Sequence, residues 1–360
     1  MEVTFYQSEC GDSAKISFIG NDNKNHHIFI DSGYERTFRD CIRKDVEELI
    51  KNGEVIDYWI VSHIHDDHIG GVKKYIDYIQ TRELKDIVLN WIYNAPRVDN
   101  RINLGTATIS EAKSIGQGDI LYNYILSQNK HPKTNYNNDS NPIDIYGLKI
   151  IILSPTRKKL FALREKYDLS KMKSFELLEG DSISEAVAAE KHDYHFKVED
   201  FDLNRWEEDD SIENGSSISF ITEFEGKNIL WLADSHPSDV VKSLVKLGYS
   251  SEKKLICEWV KITHHGSKGN NNNELYDLID CNNFLVSANG ENNAKLPTKE
   301  ALTRILRNQY RNTDLKYHFY FTYDNNTLKS IFNTDGEDIY VKYNFENIYL
   351  SNKINRFKIN

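Results

Sequence analysis

The chain has little cysteine, no long apolar run and no surplus of positive charge, and each shortage closes off a class of protein. Four cysteines (Cys10, Cys41, Cys257 and Cys281) are spread over 360 residues, with no C-x-x-C pair among them. That excludes a disulfide framework and a zinc–thiolate site, and it fits a reducing cytoplasm. Apolar stretches such as Ile150-Ile151-Ile152-Leu153 fall far short of the roughly 20 residues that span a bilayer. The opening Met1-Glu2-Val3-Thr4-Phe5-Tyr6 has no basic region leading into an apolar run, so no signal peptide is expected. Acidic residues outnumber basic ones by 55 to 45, and the net charge of −10 argues against a protein that coats nucleic acid. An enzyme acting on phosphodiesters remains open, because bound metal brings its own local positive charge. The expectation is a soluble cytoplasmic protein without membrane association.

What is present suffices for a packed core. Hydrophobic residues make up 39% and charged residues 28%, which fits one large α/β domain or two small ones. Strand and helix patterns alternate along the chain. Residues 14–19 and 27–30 read as a hairpin, 37–52 as an amphipathic helix stopped by Gly53, and 58–61 and 86–91 as strands. Residues 107–129 look helical with a break at Gly116-Gln117-Gly118, and 147–155 reads as a strand running into a loop. A second hairpin is expected over 216–224 and 228–233, then a helix over 238–247 and strands over 258–263 and 283–288. A helix over 298–308 and three short strands within 316–343 close the series. Residues 157–212 break this rhythm: they are dense in charge, with helical candidates at 157–167 and 182–191 and the acidic run Glu207-Glu208-Asp209-Asp210. This segment reads as a helical insertion serving as a lid or partner surface, or as a solvated excursion without a role.

The densest chemistry lies in His63-Ile64-His65-Asp66-Asp67-His68-Ile69-Gly70-Gly71, directly after the apolar Tyr58-Trp59-Ile60-Val61. Imidazoles and carboxylates crowded at a strand end are the nitrogen and oxygen donors that zinc takes. His63 and His65 are two apart, so in extended backbone they project to one side and can chelate one ion. Asp67 and His68 are adjacent at the start of the helix that follows and would suit a second, displaced ion. A helix N-terminus tolerates carboxylates, and Asp66 is expected to cap this one. Two later strand ends supply further donors: Ile229-Leu230-Trp231-Leu232-Ala233-Asp234, and Val260-Lys261-Ile262-Thr263-His264-His265. Taken alone, Asp234 reads as a helix cap before Pro237 as readily as a ligand, and His264-His265 as a surface turn. Strand ends converging at one sheet edge give the rigid support that a metal site needs, and together the three clusters make both ligand candidates.

These motifs resemble the metallo-β-lactamase-fold hydrolases, most of all the soluble nuclease-like domain of the bacterial competence DNA-uptake channel, the ComEC family. The S-H-x-H-x-D-H-x-G-G stretch is complete from Ser62 to Gly71. Glu9-Cys10-Gly11-Asp12-Ser13-Ala14 is similar to that family's opening G-x-G-D-A, and Ile28-Phe29-Ile30-Asp31-Ser32-Gly33 to its I-D-x-G. Asn214-Gly215-Ser216-Ser217 leading to Leu232-Ala233-Asp234 resembles its N-x-x-S…L-x-x-G-D, and Ile262 to Ser267 its H-H-G-S. The resemblance implies one domain over 1–360, a four-layer αβ/βα sandwich with the helical, charged 157–212 inserted in it. His63 and His65 would hold one ion; Asp67, His68 and one of the later pair, His265 rather than His264, the second; and Asp234 would bridge them. One or two zinc ions are expected, with manganese or iron accepted according to supply. The implied activity is that of a metal-dependent phosphodiesterase or nuclease using a metal-activated hydroxide, with Asp67 and His264 carrying turnover, His264 as proton donor. Ser267 and Lys268 could contact a phosphate, although a surface lysine is more often only solvated.

Two departures from the family pattern stand out. The third histidine that many members give to the first ion is missing near Ser154-Pro155-Thr156, leaving His131, His192 and His195 as substitutes. The late G-x-N-x-x-x-H-P segment reads Gly290-Glu291-Asn292-Asn293-Ala294-Lys295-Leu296-Pro297, with Leu296 in place of histidine. His236 stands where relatives often carry an acid and is a further candidate near the metals. The resemblance implies nucleic acid or another phosphodiester as the substrate, and a small-molecule or lipid-headgroup phosphodiesterase is an alternative. The reading from another class is a catalytically degenerate binding subunit, with 157–212 facing a protein partner.

Overall fold

The computed structural model describes residues 1–97, 109–128, 130, 132–167 and 191–359. The first sheet is built from β1 (Glu2–Tyr6), β2 (Ser13–Ile19), β3 (Asn25–Asp31), β4 (Ile56–Val61), β5 (Val88–Tyr93) and, from late in the chain, β16 (Ile354–Lys358). Its order is β16-β1-β2-β3-β4-β5, antiparallel up to β3 and parallel from β3 to β5. The second sheet takes β6 (Ile143–Ile145), β7 (Leu148–Ser154), β8 (Ser219–Phe224), β9 (Lys227–Trp231), β11 (Trp259–Lys261), β13 (Asn283–Val286), β14 (Tyr317–Phe321) and β15 (Phe345–Tyr349). It runs in the order β15-β14-β13-β11-β9-β8-β7-β6, while the short β10 (Leu255–Ile256) and β12 (Ile279–Asp280) pair separately.

Three apolar clusters make four layers. Val3, Phe5, Ile16, Ile28, Phe220 and Trp231 belong to the core between the sheets. A second core packs the Asp66–Thr81 helix and its neighbours on the outer face of the first sheet. A third packs the Pro237–Lys246 and Lys299–Leu306 helices on the outer face of the second. The expected αβ/βα sandwich is the observed architecture.

Trp59 shows how this packing supports the His/Asp loop. It is fully buried, stacks on Trp91 with 5.5 Å between ring centroids and meets Tyr75 edge-on at 5.1 Å, so β4, β5 and the Asp66–Thr81 helix are held together. Its indole N–H donates to the Asp31 carbonyl at 3.1 Å, which ties the end of β3 to the same cluster. Truncating such a side chain to alanine costs about 3–5 kcal/mol. Gly71 brings the helix close: a Cβ there would lie 2.4 Å from the Ser32 carbonyl oxygen.

Several expectations need correction. Asp66 does not cap its helix; His65 is the N-cap, and Asp66 is the first helical residue and accepts a 2.6 Å hydrogen bond from Gln117. The Ile109–Ser127 helix runs through Gly116 to Gly118 without a break. Gly118 serves packing there, since a Cβ would meet the Tyr93 hydroxyl at 2.6 Å. Of three strands expected within 316–343, only β14 exists. The Asn326–Lys329 and Asp338–Lys342 helices follow it, the first capped by the Asn325 side chain on Leu328 N. In the 157–212 segment, the Arg157–Lys166 helix forms as expected, while the expected helix over 182–191 falls almost wholly outside the described residues. From Lys191 to Ser211 the backbone is mostly irregular and packs on the Lys299–Leu306 helix. Arg304 donates there to the carbonyls of Leu203 and Arg205, and Arg307 to those of Val198 and Phe201.

Candidate metal centre

Five chain segments meet at one edge between the sheets. The loop after β4 brings His63, His65, Asp67 and His68; the turn after β9 brings Asp234; the turn after β11 brings His264 and His265; Asp12 lies just before the start of β2, and Asp31 at the end of β3. The backbone is forced where the donors sit. Asp31, Ala233, His264 and His265 all have left-handed φ, at 50°, 45°, 44° and 52°. Non-glycine residues hold such angles at a cost on the order of 1–3 kcal/mol each, and they gather where function overrides local preference. The His264 N–H donates to the Ala233 carbonyl at 2.7 Å, locking two of these turns together.

Among the described residues three sets of metal-ligating donor atoms form: Asp12, Asp31 and His68 make one, and the other two share Asp234. Asp67, His68, Asp234 and His265 each offer an atom within 4.8 Å of the others, and His63, His65 and Asp234 do the same. Asp234 belongs to both: its Oδ2 lies 3.3 Å from His68 Nε2 and 3.8 Å from His63 Nε2, and its Oδ1 lies 3.6 Å from His265 Nε2. His265 Nε2 is also 3.2 Å from Asp67 Oδ2, and His63 Nε2 is 3.1 Å from His65 Nδ1. The structure therefore brings the six ligand candidates together.

The donor chemistry fits divalent cations. Asp67 Oδ1, Asp234 Oδ1 and His68 Nε2 are buried without a hydrogen-bond partner. Leaving such groups unpaired is costly, and more so for carboxylates, whereas a cation would satisfy them together. Burial holds His63 and His65 below the usual imidazole range, keeping them in the neutral form that ligates metal. Burial works the same way on His68 and His265, but the negative charge of Asp234 and its neighbours outweighs it and raises both. Burial would raise Asp67 and Asp234, yet the surrounding imidazoles hold both carboxyls low. The cluster thus draws in positive charge, which bound cations would supply in place of protons.

Hydrogen bonds behind the donors fix their orientation. Asp31 Oδ2 takes His68 Nδ1 at 2.9 Å, and its two oxygens accept from Ser62 N and Ser62 Oγ at 2.7 and 2.8 Å. His265 Nδ1 lies 3.0 Å from the Ser287 carbonyl and 3.3 Å from Asp12 Oδ1. In the neutral form both rings would therefore keep the proton on Nδ1 and turn the Nε2 lone pair toward the centre, the usual arrangement behind metal-ligating histidine.

His264 stands outside all three sets, touching Asp234 Oδ2 at 3.6 Å. Asn270 Nδ2 donates to Asp209 Oδ2 and the Asp234 carbonyl, so its Oδ1 accepts from His264 Nδ1 at 2.7 Å. His236 is buried, with Nδ1 accepting from Lys159 Nζ at 2.7 Å and Nε2 lying 4.0 Å from Asp209 Oδ2. Burial, reinforced by the Lys159 ammonium, keeps it below the usual histidine range. His192 stacks on Tyr194, and His195 packs at a tilt against Phe196. Among the described residues neither joins a cluster of metal-ligating atoms, and His131 lies outside those residues. Leu296 is buried in the apolar core beneath the second sheet. Ser267 is buried with its carbonyl accepting from Asn271 Nδ2, and the Lys268 carbonyl accepts from Trp206 Nε1.

Asp209, Lys261 and the supporting roles of Asp12 and Asp31 were not foreseen. Asp209 belongs to the run that reads as a solvated acidic surface, yet it accepts from Asn214 and Asn270 and faces His264. Glu208 turns inward too, capping Ser238 N and Oγ at 2.9 Å. No periodic signal marks an acid in a charge run as buried; Asn214 and Asn270, both flanking recognisable motifs, were the available hint.

Residues 12–85 match the sequence profile of the Metallo-beta-lactamase superfamily. The fold is the metallo-β-lactamase fold. Members of this superfamily are metal-dependent hydrolases. No curated protein matches the sequence significantly. Among solved structures, CmlA, a diiron beta-hydroxylase from Streptomyces venezuelae, is 12% identical over 99% of this chain and 54% of its own, with a TM-score of 0.41. A Cronobacter sakazakii metallo-beta-lactamase with a HARLDQ motif is 10% identical over 66% of this chain and 63% of its own, at 0.29. A metallo-beta-lactamase from Staphylococcus aureus subsp. aureus COL is 13% identical over 69% of this chain and 51% of its own, also at 0.29. The chain thus spans about half to two thirds of the length of these solved structures. No helix among the described residues is long and apolar enough to cross a membrane.

Proposed function

We propose that this chain is a metal-dependent hydrolase of phosphodiesters, with nucleic acid as the first substrate class to test. The observation that carries the hydrolase reading is the pair of donor sets sharing Asp234, with their buried unpaired atoms. The phosphodiester part rests on the resemblance of the His63 to Gly71 and Ile262 to Ser267 stretches to the competence branch. His63 and His65, with Asp234, would hold one ion, and Asp67, His68, Asp234 and His265 the other. Zinc is the first candidate for this nitrogen and oxygen set, and manganese the second. When bound, such ions supply an activated water and neutralise charge on a phosphoryl oxygen. His264, buried beside Asp234 with Nδ1 held by Asn270, would on this reading serve a leaving oxygen. In this reading the protein is cytoplasmic and 157–212 is an insertion in one domain.

The test is metal analysis of protein purified without chelator, followed by assays on single-stranded DNA, RNA and bis-(p-nitrophenyl) phosphate. Bound metal with hydrolysis abolished by Asp67→Ala is the expected result. A second reading, a binding subunit without turnover, draws on the buried Leu296, which leaves an apolar side chain where the branch carries an imidazole. Bound metal with no hydrolysis of any of the three substrates would favour it.

A further inference from the structure

Lys261 is charged where the fold calls for an apolar side chain. It ends β11, and the two-residue period of a strand points it the same way as Trp259, which packs in the core between the sheets. It is 4% exposed. Burying an unpaired ammonium costs several kcal/mol, so a buried lysine needs a compensating partner. That partner is Asp12, itself buried, whose Oδ2 is in contact with Lys261 Nζ.

Asp12 is connected in two ways to the donor set of Asp67, His68, Asp234 and His265. Its Oδ1 lies 3.3 Å from His265 Nδ1, and its backbone N–H donates to the Asp67 carbonyl at 3.1 Å. The close approach depends on Gly11, where a Cβ would lie 2.3 Å from that same Asp67 oxygen. Lys261 and Asp12 also line a cavity of about 20 Å³ shared with Ser13, Asp31 and Ser287, room for one water beside the ammonium. The two supporting aspartates are thus held differently. Asp31, behind His68, is held by hydrogen bonds from Ser62, whereas Asp12, behind His265, is held by a buried cation.

We propose that Lys261 is a positioning residue for the ion held by Asp67, His68, Asp234 and His265. By fixing one oxygen of Asp12 it keeps the other 3.3 Å from His265 Nδ1, a negative charge beside the Ser287 carbonyl that takes that N–H at 3.0 Å, so that His265 Nε2 stays aimed between Asp67 and Asp234. This rests on the reading of those four residues as metal ligands, but not on any substrate. The role differs from a structural ion pair, because it acts on one ion and leaves the set built on His63 and His65 untouched.

Titration of the metal-free protein with cobalt(II), followed by visible absorption and equilibrium dialysis, tests this. Lys261→Met, which keeps length and loses charge, is expected to weaken one ion at least tenfold and to change its absorption band, with the other ion unaffected. Asp12→Asn should reproduce that pattern, and Lys261→Arg should recover part of the affinity. If Lys261→Met and Asp12→Asn bind cobalt with wild-type affinity and spectrum, the proposal is wrong, however much their melting temperatures fall. Loss of all binding together with loss of cooperative unfolding in both variants would show a structural role only and would equally overturn it. Wild-type protein that takes up no cobalt would remove the metal reading and this proposal together. Wild-type protein that binds cobalt yet hydrolyses no phosphodiester would remove only the function proposed above.

Discussion

Replacing Asp31 by asparagine keeps the shape of the side chain and changes one hydrogen-bonding atom, which isolates the tautomer of His68 as the variable. The carboxylate, 1% exposed, accepts from Ser62 N at 2.7 Å, from Ser62 Oγ at 2.8 Å and from His68 Nδ1 at 2.9 Å. Asparagine can keep the backbone bond only by putting its carbonyl oxygen on Ser62 N. Its NH2 group then faces His68 Nδ1, and the ring proton must move to Nε2, the nitrogen 3.3 Å from Asp234 Oδ2. That proton occupies the position an ion would take. Losing the carboxylate behind a metal-ligating histidine typically costs 10–100-fold in affinity, equivalent to about 1.4–2.7 kcal/mol. If the amide turns the other way, its NH2 meets the Ser62 N–H, and a buried donor without an acceptor costs about 1–3 kcal/mol of folding stability. Competition between the protein and a chromophoric chelator for Zn2+, combined with urea unfolding of the metal-free protein, reads both outcomes. Asp31→Asn with wild-type zinc affinity and wild-type stability would refute the reasoning.

Further expectations follow from individual contacts. Gly11→Ala forces a Cβ to within 2.3 Å of the Asp67 carbonyl and should cost about 1–3 kcal/mol in urea unfolding while weakening metal binding. Gly116→Ala meets nothing within 4 Å inside the Ile109–Ser127 helix and should instead stabilise the protein by about 0.5–1 kcal/mol. Burial lowers His26, but hydrogen bonds to Asp22 and Asp57 outweigh it and raise this histidine above its usual value. Its stabilisation is then fully present below the unfolded value near 6.5 and is lost as pH rises through the higher folded value. The destabilisation of His26→Gln should therefore shrink between pH 5.5 and pH 9, and a difference independent of pH would count against the pairing. Metal removal should lower the melting temperature, because zinc at about 100 times its Kd contributes roughly 2.7 kcal/mol to the folded state; calorimetry with and without chelator measures it.

The sequence went a long way toward the fold because its strong signals are local and periodic. The apolar Tyr58 to Val61 and the hairpin over β2 and β3 formed as their patterns require; the helix expected over 37–52 is α-helical from Arg43 to Asn52, after a π-helical stretch over Phe38–Ile42, and stops at Gly53 with φ 69° in the left-handed C-cap. Failures came where a residue's role depends on a distant neighbour. Gly118 looks like a helix breaker until the Tyr93 hydroxyl is seen against it, and Asp66 looks like a cap until Gln117 is seen to hold it. Asn, Asp and Gly between β14 and β15 favour turns, and the chain used them for short helices, the first capped by Asn325.

The ligand candidates were legible because metal chemistry admits few residue types, and strand ends concentrate them in short motifs. What holds those ligands was not. Asp12, Asp31, Asp209 and Lys261 act through side chains far away in sequence, and nothing in local spacing tells a buried lysine on β11 from a solvated one. By itself the sequence carried the alternation of strands and helices and the candidate donors, and its resemblance to a known fold carried the layers of the sandwich. Only the tertiary structure decided which carboxylate stands behind which imidazole, because hydrogen-bond partners are set by where strand ends meet across the sheets.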